Sequence, residues 1–270
     1  MPTGLSLHVG LNQVDPDRYG GWDGTLLACE NDARDMARLA RAAGFADTVL
    51  LTREGTVDGV TGALRAAAER LAAGDILLFT YSGHGGQVPD VTGPDDEPDR
   101  RDETLVLYDR QFLDDEVQQE FRRFDHGVRI VTFFDCCHSG SSVELPGTAE
   151  AATGRYLPEP RQIELYERDR AFYDDLQRDL AKAAAVTGDG QGPPVILISA
   201  CQDNQTAADG PVNGAFTGAL LEVWDDGVFR GDYPAFHRAI QRRLPPTQSP
   251  NLYTTGAPEP AFLGQRPFTV

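Results

Sequence analysis

Cysteine is scarce in this chain, with four in 270 residues. Cys136 and Cys137 are neighbours, while Cys29 and Cys201 lie far from them and from each other. That count and spacing exclude a disulfide framework and favour reduced thiols. Long apolar runs are also lacking, since no stretch approaches the ~18 residues of a membrane span. The opening MPTGLSLHVGLNQ has no basic region followed by an apolar one. The expectation is a soluble, cytoplasmic protein with no membrane partner. Positive charge is in deficit, with 24 Lys and Arg against 42 Asp and Glu, a formal net charge of −18. Such a balance repels nucleic-acid phosphates and excludes them as partners. It suits a cationic partner or a divalent metal, and it also serves plain solubility. What is present, 40% hydrophobic and 9% aromatic residues, can fill the core of one large α/β unit.

Strand-like and helix-like segments alternate along the chain. Apolar runs at 5–11, 47–52, 75–82, 128–135 and 194–200 read as buried strands, with further strands expected at 104–109 and 249–255. Helical spacing occurs at 31–45, 56–75, 113–124, 214–226 and 233–244. This order predicts a mainly parallel sheet of about six strands with helices on both faces. Two segments interrupt it. Residues 86–103, acidic and rich in turn formers, read as a surface loop. Residues 144–193 form a long excursion with a charged helix expected over 159–185. The chain is read as a single domain of a larger portion (1–143), this linker (144–193) and a smaller portion (194–270).

In a parallel sheet, ligands collect beyond the carboxyl ends of strands. That rule points to YSGHGG (81–86) and DCCHSG (135–140). A cysteine attacks as its thiolate, yet free thiols with pKa ~8.5 are mostly protonated at neutral pH. A histidine across a shared cleft can take that proton and later protonate the leaving amine. His84 and a cysteine at 136 or 137 meet this need, and the small residues around them leave backbone N–H groups free for an oxyanion. A zinc site fits poorly, because Cys136, Cys137 and His138 are consecutive and diverge. The bland alternative is a structural histidine beside small core cysteines.

The two motifs together resemble the signature of caspase-like cysteine peptidases, and specifically of metacaspases. LLACENDARDM (26–36), LISACQDNQTA (197–207), GAFTGALL (214–221) and QSPNLYTT (248–255) extend the resemblance over nearly the whole chain. It implies a caspase-like α/β fold, a three-layer sandwich, and an endopeptidase with Cys137 as nucleophile and His84 as base. The backbone of Gly85 and Cys137 would hold the oxyanion, and Cys136 would be a buried spacer. No cofactor is needed for this chemistry.

The resemblance further implies protein or peptide substrates with arginine or lysine before the cut bond (P1), held by Cys29, Asp32, Ser82 and Asp135. It implies a Ca²⁺ site at Asp102, Asp114, Asp115 and Glu144, with Glu144 departing from the usual aspartate. The chain is expected to be a monomeric zymogen. Cleavage in the 144–193 linker, by itself or by an upstream protease, would activate it at one of Arg155, Arg161, Arg168, Arg170, Arg178 or Lys182. The rivals are a related peptidase with another P1 preference and a non-catalytic pseudo-protease acting in signalling.

Overall fold

The computed structural model describes residues 2–93, 100–137, 154–187, 192–201, 207–256 and 260–270. Its strands are β1 (Gly4–Gly10), β2 (Ala46–Leu51), β3 (Ile76–Ser82), β4 (Gly85–Pro89), β5 (Arg101–Val106), β6 (Gln111–Leu113), β7 (Arg129–Asp135), β8 (Val195–Ser199) and β9 (Asn251–Thr255). Its helices are α1 (Cys29–Ala42), α2 (Val57–Ala68), α3 (Asp114–Phe121), α4 (Glu159–Thr187), α5 (Ala215–Trp224), α6 (Tyr233–Gln241) and the short α7 (Pro260–Leu263). Among the described residues no helix is long and apolar enough to cross a membrane.

Six strands form one sheet in the order β2-β1-β3-β7-β8-β9. All neighbours are parallel except β9, which closes the edge antiparallel to β8. The inner strands β1 and β3 are buried at every residue, which explains their lack of polar alternation. Successive side chains still point to opposite faces. Ile76, Leu78, Val131 and Phe133 join a core with α1, α5 and α6 through Met36, Phe216 and Phe236. Leu77, Phe79, Ile130 and Phe134 face α2 and α3 through Leu64 and Phe121. The expected sandwich of helices, sheet and helices is therefore present.

Local signals set the helix ends. The Thr56 hydroxyl accepts the Gly59 N–H at the start of α2, and the Asp232 carboxylate accepts that of Ala235 at the start of α6. Past α1 the chain turns at Gly44, where φ is +97°, a conformation open to glycine at little cost.

The expectation of a surface loop over 86–103 is only partly met. Its first residues form β4, which pairs with β5, and β5 with β6, in a separate antiparallel sheet. Val88 is the only large apolar residue of β4, too weak a pattern to read as a strand. It is buried against Leu113 and, on α4, Tyr166 and Tyr173. Helix α4 bends at Asp169, where the backbone leaves helical geometry. It is anchored to this second sheet by Gln177, whose side chain accepts from Val91 N at 2.8 Å and donates to Pro89 O at 3.0 Å.

Candidate active site

Strands β3 and β7 are neighbours in register, with Ser82 opposite Asp135. The residues that follow, Gly83–His84–Gly85 and Cys136–Cys137, leave the sheet side by side. The two cysteines separate there. Cys136 packs into the core under α2 and α3, while Cys137 joins the opposite core. Burial pushes the Cys136 thiol well above its usual range, so it stays neutral. Burial also drives Cys29 up to about 12. A hydrogen bond to Cys137 and burial both raise Cys201. Cys201 lies with its sulfur 3.0 Å from that of Cys137, which also meets the Ala207 N–H.

His84 is fixed by its surroundings. Its Nε2 lies 2.8 Å from the Gly24 carbonyl, which can only accept, so Nε2 carries the proton. Nδ1 is left with its lone pair and has no hydrogen-bond partner among the described residues. The Trp22 ring covers the imidazole, with 4.8 Å between centroids. Burial pushes His84 down to about 4, against the opposing pull of the Gly24 carbonyl, so the ring is neutral at neutral pH.

The space between these loops is filled by the chain's own Arg155. Its carbonyl oxygen accepts N–H bonds from Gly85 and from Cys137, each at 3.0 Å. A side chain on residue 85 would run into the Cys137 backbone, so glycine is required for this approach. Arg155 N donates to Ala207 O at 3.1 Å, and Gly154 bridges Ala208 antiparallel, so the segment lies as an added strand. Two convergent donors on one carbonyl form the arrangement that stabilises a tetrahedral oxyanion.

The Arg155 guanidinium is fully buried. Its Nη1 reaches Ser82 Oγ at 2.8 Å and Asp135 at 2.9 Å, and its Nη2 reaches Asp32 at 2.8 Å and Asp209 at 2.9 Å. The carboxylates are themselves held. Asp32 accepts from Ser82 at 2.7 Å, from the Asn213 side chain at 3.0 Å and from Gly214 N at 3.1 Å. Asp135 accepts from the Thr217 hydroxyl at 2.7 Å, and Asp209 from Leu27 N at 2.7 Å. Burial pushes the Asp32 carboxyl up to about 6 while Arg155 pulls it back. Burial opposes the charge on Arg155, but Asp135 and its neighbours outweigh it and hold the guanidinium charged. A forked cation matches this set better than a point charge would.

The sequence-predicted residues His84, Gly85, Cys137, Asp32, Asp135 and Ser82 thus surround one residue, and Cys29 is buried close enough to Arg155 to feel its charge. Asp209, Asn213 and Thr217 were not foreseen. They come from the smaller portion, and the loop before α5 delivers the first two. Of the expected Ca²⁺ ligands, Asp102 lies on β5, two residues before Thr104, which pairs with Leu113. Asp114 and Asp115 follow Leu113 directly at the start of α3, so the strand register brings all three to one edge. Among the described residues no group of three His, Cys, Asp or Glu side chains is assembled for a metal. Glu144 lies outside the described residues, as does His138.

A family model for the caspase domain, a peptidase family, matches residues 12–262. The chain belongs to the caspase-domain peptidase family. Among curated relatives, this caspase-domain chain is 30% identical over 247 residues to Metacaspase-1 of Mycosarcoma maydis, covering 79% of this chain and 60% of the relative. It is 31% identical over 261 residues to Metacaspase-1 of Schizosaccharomyces pombe, covering 83% and 59%. The chain spans about three-fifths of the length of these relatives. A crystal structure of a Geobacter sulfurreducens protein superposes with a TM-score of 0.88 at 48% identity, covering 100% of this chain and 99% of that one. Caspase-1 of Spodoptera frugiperda has the same fold, with a TM-score of 0.59 at 11% identity over 94% and 86% of the two chains.

Proposed function

We propose that this caspase-domain protein is a cysteine endopeptidase that cuts after arginine, and that its first substrate is its own Arg155–Tyr156 bond. The observation that carries this is the double placement of Arg155. Its carbonyl accepts from Gly85 and Cys137 while its guanidinium contacts three buried carboxylates. In the reaction His84 takes the proton from the Cys137 thiol, and the sulfur attacks the Arg155 carbonyl carbon. The oxyanion stays on the Gly85 and Cys137 N–H groups. On collapse, the bond to Tyr156 N breaks and His84 returns the proton to that nitrogen. Water then hydrolyses the Arg155 thioester and regenerates the thiol. Removing Arg155 would leave three buried carboxylates without a counter-ion, so the emptied pocket demands another cation.

The test is a panel of coumarin amides with arginine, lysine or aspartate before the amide. Arginine should be hydrolysed fastest, aspartate not at all, and Cys137→Ala should abolish turnover. Activity surviving in that variant would remove Cys137 from its role. Asp102, Asp114 and Asp115 form no metal-holding group by themselves among the described residues, and Ca²⁺ is proposed here because it takes oxygen ligands such as these carboxylates and that of Glu144. We therefore expect a chelator to lower the rate and added Ca²⁺ to restore it. A rate indifferent to both would remove the metal.

A further inference from the structure

Beyond Arg155 the chain keeps to the cleft. Tyr156 bridges Gly85 in parallel, and Leu157 N donates to Gly85 O at 2.7 Å. Gly85 therefore grips the segment on both sides of the bond, its N–H on the Arg155 carbonyl and its carbonyl on the Leu157 amide. The Leu157 side chain is fully buried, yet it belongs to neither of the large cores. It packs with Val14, Tyr19, Val106 and Leu165, and Trp22 forms the rim. The walls are fixed, because the Tyr19 hydroxyl donates to Leu107 O at 2.7 Å and Val106 is a strand residue. On the main-chain side, Gln162 Nε2 donates to Leu157 O at 2.5 Å and its Oε1 accepts from Gln87 N at 3.0 Å.

We propose that this pocket is a substrate subsite that selects an aliphatic side chain at the second residue after the cut bond, filled by Leu157 in the uncut chain. The proposal rests on the arginine-cutting reading. Any extended peptide whose carbonyl sits on Gly85 N and whose later amide sits on Gly85 O projects its second following side chain into this place. The described residues packed on Leu157 are apolar or aromatic, so an acid or base in its place would be buried against them at a cost. After the cut, Leu157 stays tied through Pro158 to α4, which Gln177 fastens to β4. External substrates then compete with it for the same pocket.

Two series test this. The first uses quenched peptides Gly-Arg-Tyr-X on chain already cut at Arg155, with X as leucine, isoleucine, serine or aspartate. The second follows self-cutting of the whole chain carrying Leu157→Ile or Leu157→Ser. Leucine and isoleucine should be cut about tenfold to a hundredfold faster than serine or aspartate, the usual range for filling one apolar pocket. Leu157→Ser should slow self-cutting by a similar factor and Leu157→Ile only slightly. Because Leu157→Ser can loosen α4, the peptide series decides, and equal kcat/KM across X overturns the subsite. Gly-Arg coumarin amide has no residue in this pocket. Loss of its hydrolysis by the unaltered chain would therefore strike the arginine reading, which a flat peptide series leaves standing.

Discussion

The short strap at Gly154–Leu157 and the helix α4 that follows it belong to one linker, and both carry basic residues, but they use them in opposite ways. Arg155 has no solvent exposure and meets three carboxylates. On α4, Arg178 and Lys182 pair with Asp175 and Asp179 on an exposed face, where such ion pairs contribute little. A basic residue in a linker is therefore no cleavage site by charge alone. What distinguishes Arg155 is a main chain laid as a strand beside Cys137. The sharpest way to break this contrast is Arg155→Gln against a chain in which Arg161, Arg168, Arg170, Arg178 and Lys182 are all glutamine. The first should yield no fragments at 155/156 by mass spectrometry and lose about 3–5 kcal/mol in urea unfolding, the cost of stranding buried charge. The second should give the same fragments as the unaltered chain. Cutting within α4 in either protein would end the distinction.

Acid should act on the buried region first. His84 sits near 4 in the folded chain and near 6.5 when unfolded. Between those values the unfolded chain binds a proton that the folded one does not, so its contribution is complete above pH 6.5 and fades as pH falls towards 4. The loss is about 3 kcal/mol at the acid end. His8, buried on β1 and pushed down to about 3 by burial and Arg41, works in the same direction. Asp32, held up to about 6 in the folded chain, works the other way as it takes up a proton, but the two imidazoles outweigh it, so urea midpoints measured at pH 7, 5.5 and 4 should fall. A midpoint that rises on acidification would contradict the buried, neutral imidazole.

Much of this was legible in the sequence, and the misses have physical causes. The mainly parallel sheet of about six strands follows from strand–helix alternation, and His84 and Cys137 stand at strand ends where ligands collect. The choice of Cys137 over Cys136 rests on the resemblance alone, and the structure adds that one step along the segment moves the side chain to the other core. Strands β4 and β6 were hidden because they are short and are buried by partners distant in sequence. Arg155 was visible only as one of six basic residues, because its local sequence says nothing of the antiparallel edge at Ala207 and Ala208 that captures it. Asp209 was missed for a related reason. Nothing in its local sequence marks it, and only the fold carries it to the pocket beside Asp32.

Asp209 also offers the gentlest test of the contrast between pocket and helix. It gives Arg155 one charge-assisted bond of several, with Asp32 and Asp135 on the same guanidinium. Asp209→Asn keeps the shape and one acceptor oxygen, so the Leu27 amide can still be capped while the charge is lost. Hydrolysis of an arginine coumarin amide should then fall about tenfold in kcat/KM, carried mainly by KM, since the lost contact is made before the reaction as well as during it. Asp179→Asn on α4 removes a carboxylate of the same charge from an exposed pair with Lys182, and should leave both constants unchanged. Equal effects of the two changes would mean that total acidity, rather than the three carboxylates around the guanidinium, governs the preference for arginine.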